Sequence, residues 1–241
     1  MRRVCLLTGA GGVFGNAFCR MLARQYSIMA VHRSVPPLVA TQQAELFDPV
    51  APRRGVPESE YPVFAVEADL AQPAEVDRVA ELALARFGQV DLLVNAAAEA
   101  RVRSSTTDPD AIGTWERQLA VNTLVPVHLA AVLAREFWKG AASVNRAHGR
   151  NVVNISSTAG LTVAPYPERG FYGASKAALN ILTAQMAAEY QPLGVRVNAV
   201  APTSFPELLP TERVIRAVRQ LDQGQMSGRI LVMESERTRW I

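Results

Sequence analysis

The chain has 241 residues, of which 49% are hydrophobic and 20% are charged, and its formal net charge is +3. This size suits one large α/β domain with a substantial core, so we expect residues 1–241 to form a single domain. The basic residues are scattered rather than collected into a stripe with aromatic residues between them, which argues against a nucleic-acid interface.

The sequence shows no signal for membrane insertion or export. No stretch approaches the ~20 apolar residues of a membrane span, and the apolar run after Arg2 and Arg3 is shorter than the ~7–15 residues that an export signal needs. Cys5 and Cys19 fall in a predicted strand and a predicted helix and lack the spacing of a metal site or a disulfide. We therefore expect a cytoplasmic protein without a resident metal.

Short apolar runs alternate with helical patterns along the whole chain, which predicts a parallel sheet covered by helices on both faces. The predicted strands are Arg3–Leu7, Ser27–His32, Val63–Val66, Leu92–Val94, Asn151–Ser156, Arg196–Ala199 and Ile230–Met233. The predicted helices are Phe14–Gln25, Pro73–Phe87, Thr114–Phe137, Tyr172–Tyr190 and Thr211–Leu221. This order indicates a Rossmann-type, doubly wound fold with a seven-stranded parallel sheet and ligands at the carboxyl ends of its strands.

A glycine cluster, Thr8–Gly15 (TGAGGVFG), follows the first predicted strand and opens a helix. Glycine lets a pyrophosphate approach the backbone amides and the positive end of the helix. Such a cluster can also be only a turn, but its place between the first strand and the first helix favours dinucleotide binding.

The second predicted strand ends in His32, Arg33 and Ser34, where an NAD enzyme usually carries an acidic residue for the ribose 2′-hydroxyl. Arginine can instead form charge-assisted hydrogen bonds with a 2′-phosphate, so these residues favour NADP(H). The alternative is a surface arginine beside a loop. A proline-rich stretch, residues 35–62, follows; it predicts an irregular surface loop with any helix confined to Thr41–Phe47.

The most informative run is Tyr172–Lys176 (YGASK), because residues four apart on a helix project from one face. Lys139 and Lys176 are the only lysines in a chain that otherwise uses arginine, and a lysine beside a tyrosine is expected to lower the pKa of the phenol. Ser157 follows the fifth predicted strand, and Asn122 offers an amide. The alternative is a solvated lysine beside a core tyrosine.

These motifs together resemble the short-chain dehydrogenases/reductases, from Val4 to about Val232. They occur in the order of that family: TGAGGVFG at the phosphate loop, ADL at residues 68–70, LVNAA at 93–97, VNTL around Asn122, ISSTAG around Ser157 and YGASK at 172–176. Five ordered motifs beyond the phosphate loop are far more specific than any one of them.

The resemblance implies a role for each matching residue. Tyr172 would be the general acid or base, Ser157 would orient the substrate carbonyl, and Asn122 would hold a water in the proton relay. Lys176 would bind the nicotinamide ribose, and Asp69 the adenine edge. The cofactor contacts implied in total are Gly9, Gly12, Val13, Phe14, Gly15, His32, Arg33, Ser34, Asp69, Leu70, Asn95, Ala96, Ala97, Tyr172, Lys176, Pro202 and Thr203, with no metal.

Several residues depart from the family pattern. Val13 stands where the central glycine usually lies, and Ala96 and Ala98 replace an asparagine and a glycine. Thr203 replaces the glycine after the proline, and residues 234–236 replace Asp-Gly-Gly. Residues 203–226 are also a short substrate-loop region for the family, with Phe205, Leu208 and Leu209 as its remaining apolar cover.

The interpretation is an NADP(H)-dependent oxidoreductase that reduces a ketone, or oxidises a secondary alcohol, and acts as a homodimer or homotetramer. The short loop predicts an open site for bulky or carrier-attached substrates. Alternatives are a pteridine-reductase-like enzyme, which the run at residues 32–34 resembles, and a cofactor-binding protein with a regulatory or non-redox role.

Overall fold

The computed structural model describes residues 2–42, 61–100, 111–163 and 168–241, and of residues 111 and 112 only the backbone. One sheet of eight strands crosses these residues in the order β3-β2-β1-β4-β5-β6-β7-β8. The strands are β1 Arg3–Thr8, β2 Tyr26–His32, β3 Val63–Glu67, β4 Leu92–Asn95, β5 Asn151–Ile155, β6 Arg196–Pro202, β7 Ile230–Met233 and β8 Thr238–Trp240.

The first seven strands are parallel, which confirms the predicted doubly wound fold, whereas β8 pairs antiparallel with β7. The prediction of seven strands was therefore one short. With three residues, and those largely exposed, β8 is too short to show an alternating pattern in the sequence. The chain order of the strands reverses between β1 and β4, so a crevice is expected above their carboxyl ends.

The helices lie on both faces of the sheet. They are α1 Val13–Leu22, α2 Pro73–Phe87, α3 Ala111–Leu119, α4 Val125–Leu133, α5 Ala142–Ala147, α6 Gly170–Tyr190 and α7 Thr211–Gln223. Single π-helical turns at Ala120–Leu124 and Ala134–Trp138 continue α3 and α4, so that the predicted helix Thr114–Phe137 forms as one long rod with two bulges. The proline-rich prediction falls mostly on residues 43–60, which lie outside the described residues.

Two hydrophobic cores follow from the alternation of side chains along the strands. Leu7 of β1 packs into the core beneath α1 and α7, and its neighbour Leu6 packs into the core beneath α2 and α4. Cys5 and Cys19 both lie in the first core, and burial raises the pKa of Cys19 to about 12. The two thiols are therefore core residues, as predicted.

One helix in the described part of the chain, Gly113–Trp138, is long and apolar enough to cross a membrane by length and composition alone. The sequence analysis found no such stretch. Of its most apolar window, 56% is buried inside the protein, and the helix contacts α2 and α6. A core helix of this kind meets the same criterion, so the finding is weak evidence for a membrane span.

Candidate active site

The phosphate loop leaves bare backbone at the amino end of α1. Gly9 has a φ of +72°, and a side chain there would come within 2.8 Å of the backbone at Ala96. Gly12 begins α1 in an extended conformation, and among the described residues no side chain caps this helix end. The turn therefore offers unobstructed amides and a positive helix end, which fit a pyrophosphate.

The predicted contacts at the start of α1 differ in their placement. The Val13 side chain is 58% exposed at the helix end. Phe14 is a core residue instead, since it is buried against Phe18 and meets the Phe205 ring edge-on with ring centres 6.4 Å apart. Gly15 packs so closely on the loop that a side chain would lie 2.4 Å from the carbonyl oxygen of Gly9. Of Phe14 and Gly15, only the backbone can serve a cofactor.

A cleft of about 290 Å³ extends from this loop over the ends of β1, β2, β3 and β4. Among its lining residues are most of the predicted cofactor contacts: Gly9, Gly12, His32, Arg33, Ser34, Asp69, Leu70, Ala96 and Ala97. Burial lowers the pKa of His32, while Glu67 acts in the opposite direction. The Nδ1 atom of His32 is buried with no hydrogen-bond partner among the described residues.

Two lining residues, Glu99 and Arg117, were missed by the sequence analysis. Arg117 Nη2 donates to Asp69 Oδ1 over 2.9 Å, and this hydrogen bond lowers the pKa of Asp69. Arg117 Nε donates to Glu99 Oε1 over 3.0 Å, and Arg33 Nη1 donates to the same oxygen. Asp69, predicted to contact the adenine, and Arg33, predicted to contact the 2′-phosphate, are thus linked through Arg117 and Glu99 in a row of alternating charges.

Asn95, a predicted contact of the cofactor ribose, is not among the residues that line the cleft. It lies buried in β4, where its Nδ2 donates to Asn154 Oδ1 over 2.8 Å. The next two amides, of Ala96 and Ala97, each donate to Thr8 Oγ1 over 3.0 Å. The strand end therefore stabilises the sheet, and the two alanines after it face the ligand.

A second cleft, of about 560 Å³, opens over the ends of β5 and β6 and contains the Ser157 and Tyr172 side chains. Ser157 directly follows Ser156 at the end of β5, and its Oγ accepts a hydrogen bond from Ala159 N over 3.2 Å. Tyr172 lies in the first turn of α6. The predicted Pro202 and Thr203 line this cleft as well. The two hydroxyl groups therefore face one space, as the chemistry of a carbonyl substrate requires.

Lys176 is fully buried behind the tyrosine. Its Nζ donates to the Ile155 carbonyl oxygen over 2.8 Å and lies 5.8 Å from the centre of the Tyr172 ring. Burial lowers the pKa of Lys176 to about 8. The ammonium is therefore directed at the end of β5.

The pKa of Tyr172 is raised, not lowered as the sequence predicted. Burial is the dominant cause, and it outweighs the lowering by the Ser157 hydrogen bond and by the charge of Arg169. The prediction neglected that the same burial acts on the phenol and on the lysine. A phenol is protonated at neutral pH even at its ordinary pKa, so Tyr172 has the form that a proton donor needs.

Asn122 lies in the first π-helical turn and is completely buried. Its Oδ1 accepts from Glu99 N over 2.8 Å, and its Nδ2 donates to Glu99 O over 2.9 Å and to Ser175 Oγ over 3.0 Å. The π-turn, a feature frequent at functional sites, thus joins the loop after β4 to the start of α6. Among the described residues, the Asn122 side chain is not part of the lining of either cleft.

The segment after β6 contributes residues to the wall of the second cleft. Phe205 and Leu208 line it as predicted, and Leu208 is 60% exposed. Leu209 was also predicted to cover the substrate, but it is fully buried in the core with α7. Leu209 is buried because it lies next to α7, whose apolar face packs on the sheet.

The family model for short chain dehydrogenases matches residues 3–207. The chain belongs to this family. A curated relative, 2-(R)-hydroxypropyl-CoM dehydrogenase of Xanthobacter autotrophicus, is 31% identical over 238 residues, which cover 96% of this chain and 83% of the relative. The family assignment makes the protein an oxidoreductase of alcohol or carbonyl groups that uses a nicotinamide cofactor.

Solved structures of the family superpose on nearly the whole chain. A Brucella ovis oxidoreductase in complex with a partially ordered NAD is 25% identical, with a TM-score of 0.71 and coverage of 97% of this chain and 100% of the other. The RhlG/NADP active-site complex of Pseudomonas aeruginosa is 20% identical, with a TM-score of 0.76 and coverage of 97% and 95%. One neighbour holds NAD and the other NADP, so the choice of cofactor depends on this chain's own residues.

Proposed function

We propose that this protein is an NADP(H)-dependent reductase of ketones, or in the reverse direction a dehydrogenase of secondary alcohols, with Tyr172 as general acid or base. The observation that carries the proposal is that the Ser157 and Tyr172 hydroxyls open into one cleft, with the Lys176 ammonium buried directly behind them. This arrangement places a proton donor and a second hydroxyl where a substrate carbonyl can reach both.

The residues of the chain supply orientation and proton transfer. A bound nicotinamide cofactor supplies the hydride, and the amides at the start of α1 would hold its pyrophosphate. Ser157 donates a hydrogen bond that stabilises the negative charge developing on the carbonyl oxygen, and Tyr172 delivers the proton. Lys176 contributes a fixed positive charge beside the phenol and would donate to the nicotinamide ribose. Asn122 holds the loop between the two clefts in place.

The test of this function is the consumption of NADPH in the presence of ketones of increasing size. The partly exposed cover of the second cleft predicts that larger, ring-bearing or carrier-attached ketones have higher specificity constants than the smallest ones. Activity that peaks at the smallest ketones would show that the cleft is closed in solution. Binding of NADPH without turnover of any ketone or alcohol would instead favour a regulatory protein.

The preference for NADPH is expected to depend on Arg33. Its guanidinium lines the first cleft and is 53% exposed, so it can reach a 2′-phosphate. Charge-assisted hydrogen bonds to phosphate contribute about 1.5–3 kcal/mol, so Arg33→Ala should raise the dissociation constant for NADPH roughly tenfold or more and leave that for NADH nearly unchanged.

Fluorescence titration with both cofactors measures this effect. The matched control is Arg78→Ala, since Arg78 is similarly exposed and paired with a glutamate but does not line the cleft. Equal affinities of the unmodified protein for NADPH and NADH would contradict the proposed preference.

We also propose that the protein forms a homodimer or homotetramer. Leu124, at the end of the first π-helical turn, is 61% exposed, and Ile181 of the adjoining α6 is 73% exposed. These large apolar side chains on neighbouring helices suit a self-complementary interface.

Leu124→Arg and Ile181→Arg are expected to lower the mass measured by light scattering to that of one chain, because an arginine on each side of a twofold axis places like charges together. Val144→Arg, on the exposed face of α5, serves as the control. A monomeric mass for the unmodified protein at micromolar concentration would overturn the proposal.

A further inference from the structure

The carboxylate of Glu99 lies inside the cofactor cleft, beside the arginine assigned to the 2′-phosphate. Its side chain is only 12% exposed, and its Oε1 accepts hydrogen bonds from Arg33 Nη1 and from Arg117 Nε. Nothing in the phosphate-loop or catalytic motifs calls for an acidic residue here. The first cleft therefore contains a negative charge close to the point where a phosphate would bind.

The position of Glu99 is fixed by its backbone. Asn122 accepts from the Glu99 amide and donates to the Glu99 carbonyl, and Asn122 itself is completely buried. The amides of Ala96 and Ala97, shortly before Glu99, are held by Thr8. These bonds hold the Glu99 backbone beside the cleft, and the hydrogen bonds from Arg33 and Arg117 hold its carboxylate there.

The two arginines bonded to Glu99 differ in their freedom to move. Arg117 is held by Asp69 through two hydrogen bonds, of 2.9 and 3.3 Å, in addition to its bond to Glu99. Arg33 is the more exposed of the two, at 53% against 30%, and lies at the end of β2. Arg33 is thus the group that can exchange Glu99 for another anion.

We propose that Glu99 determines the cofactor selectivity of this enzyme by competing with the 2′-phosphate of NADP(H) for Arg33. A 2′-phosphate carries a charge of about −1.5 to −2. To bind Arg33, it must displace the Glu99 carboxylate, and it is then repelled by that nearby negative charge. A ribose 2′-hydroxyl is neutral and can donate a hydrogen bond to a carboxylate, so NAD(H) binds with the pair intact. Glu99 therefore reduces an NADP(H) preference that Arg33 alone would make larger.

This inference rests on the proposed role of Arg33, and the experiment separates the two. Glu99→Gln keeps the shape of the side chain and removes the charge, and the dissociation constants for NADPH and NADH are measured by fluorescence titration. The constant for NADPH should fall about five- to tenfold, while that for NADH should stay the same or rise. In the double variant Glu99→Gln with Arg33→Ala, the gain for NADPH should disappear, because the two residues act on the same phosphate.

Two controls test whether the effect is specific to Glu99 and whether each variant folds. Glu75→Gln removes another carboxylate bonded to an arginine, but it lies outside the cleft and should leave both constants unchanged. Thermal melting of each variant reports whether it folds. If Glu99→Gln does not fold, Glu99→Ala is used in its place, since it also retains the backbone bonds to Asn122.

The outcomes are distinct for the two proposals. If the unmodified protein shows no preference but Glu99→Gln gains one for NADPH, the inference stands and the proposed preference of the natural chain fails. If Glu99→Gln leaves both constants unchanged, or weakens both cofactors equally in a folded protein, Glu99 has a structural role only and the inference is overturned. A gain for NADPH that persists without Arg33 would also overturn it.

Discussion

Replacing Tyr172 by phenylalanine is expected to lower turnover by about 10²- to 10⁴-fold while NADPH still binds. The substitution removes the hydroxyl that shares the second cleft with Ser157 and leaves the ring in place. A phenol is protonated at neutral pH, so this hydroxyl can donate its proton to the carbonyl oxygen.

The measurement is the single-turnover rate with a ketone that the unmodified protein reduces, together with the dissociation constant for NADPH from titration. Tyr190→Phe is the matched control, since Tyr190 is another buried tyrosine with a pKa raised to about 12, but it packs on Trp138 in the core. In the same assays Lys176→Ala should impair both turnover and NADPH binding. A Tyr172→Phe variant with nearly unchanged rates would rule out this residue as the proton donor.

The parts of the fold that sequence periodicity predicted are those with repeated local signals. Seven parallel strands follow from apolar runs between helical patterns. Their order along the chain brings Ser157, Tyr172 and Lys176 to the carboxyl ends of the strands. The strand β8 has no such signal, because three residues after a charged turn do not establish a period. The π-helical turn around Asn122 was also not predictable, since it inserts a residue without changing the composition of the helix.

The charges of the first cleft could not be predicted because they depend on tertiary proximity. Glu99 and Arg117 belong to a loop and a helix, and only the packing of that helix against the loop brings the two together. Asn95 and Phe14, by contrast, were predicted to contact the cofactor, but their side chains are buried. Each lies in a motif associated with cofactor binding, but each points into the interior, because side chains of a strand or helix alternate between surface and core.

An ion pair with a buried carboxylate, in residues that line neither cleft, joins the last long helix to the sheet. The Asp222 side chain, at the end of α7, is 1% exposed and accepts from Arg3 Nη2 over 2.8 Å. Tyr26 donates its hydroxyl to the other oxygen of Asp222 over 2.7 Å. Arg196 Nη2 donates to the carbonyl oxygen of Asp222 over 2.9 Å. This cluster connects α7 with β1, β2 and β6.

Asp222→Ala is therefore expected to lower the free energy of unfolding by about 3 kcal/mol, because it leaves the Tyr26 hydroxyl without its acceptor and removes the carboxylate that neutralises Arg3. For a chain of this size, that loss corresponds to a fall in Tm of roughly 6–12 °C, measured by calorimetry or circular dichroism. Glu136→Ala is the control: it breaks a surface pair with Arg135, which is 66% exposed, and should barely change Tm. A Tm for Asp222→Ala within about 2 °C of the unmodified protein would show that water or a rearranged side chain replaces the carboxylate, and that α7 is held to the sheet by its apolar face alone.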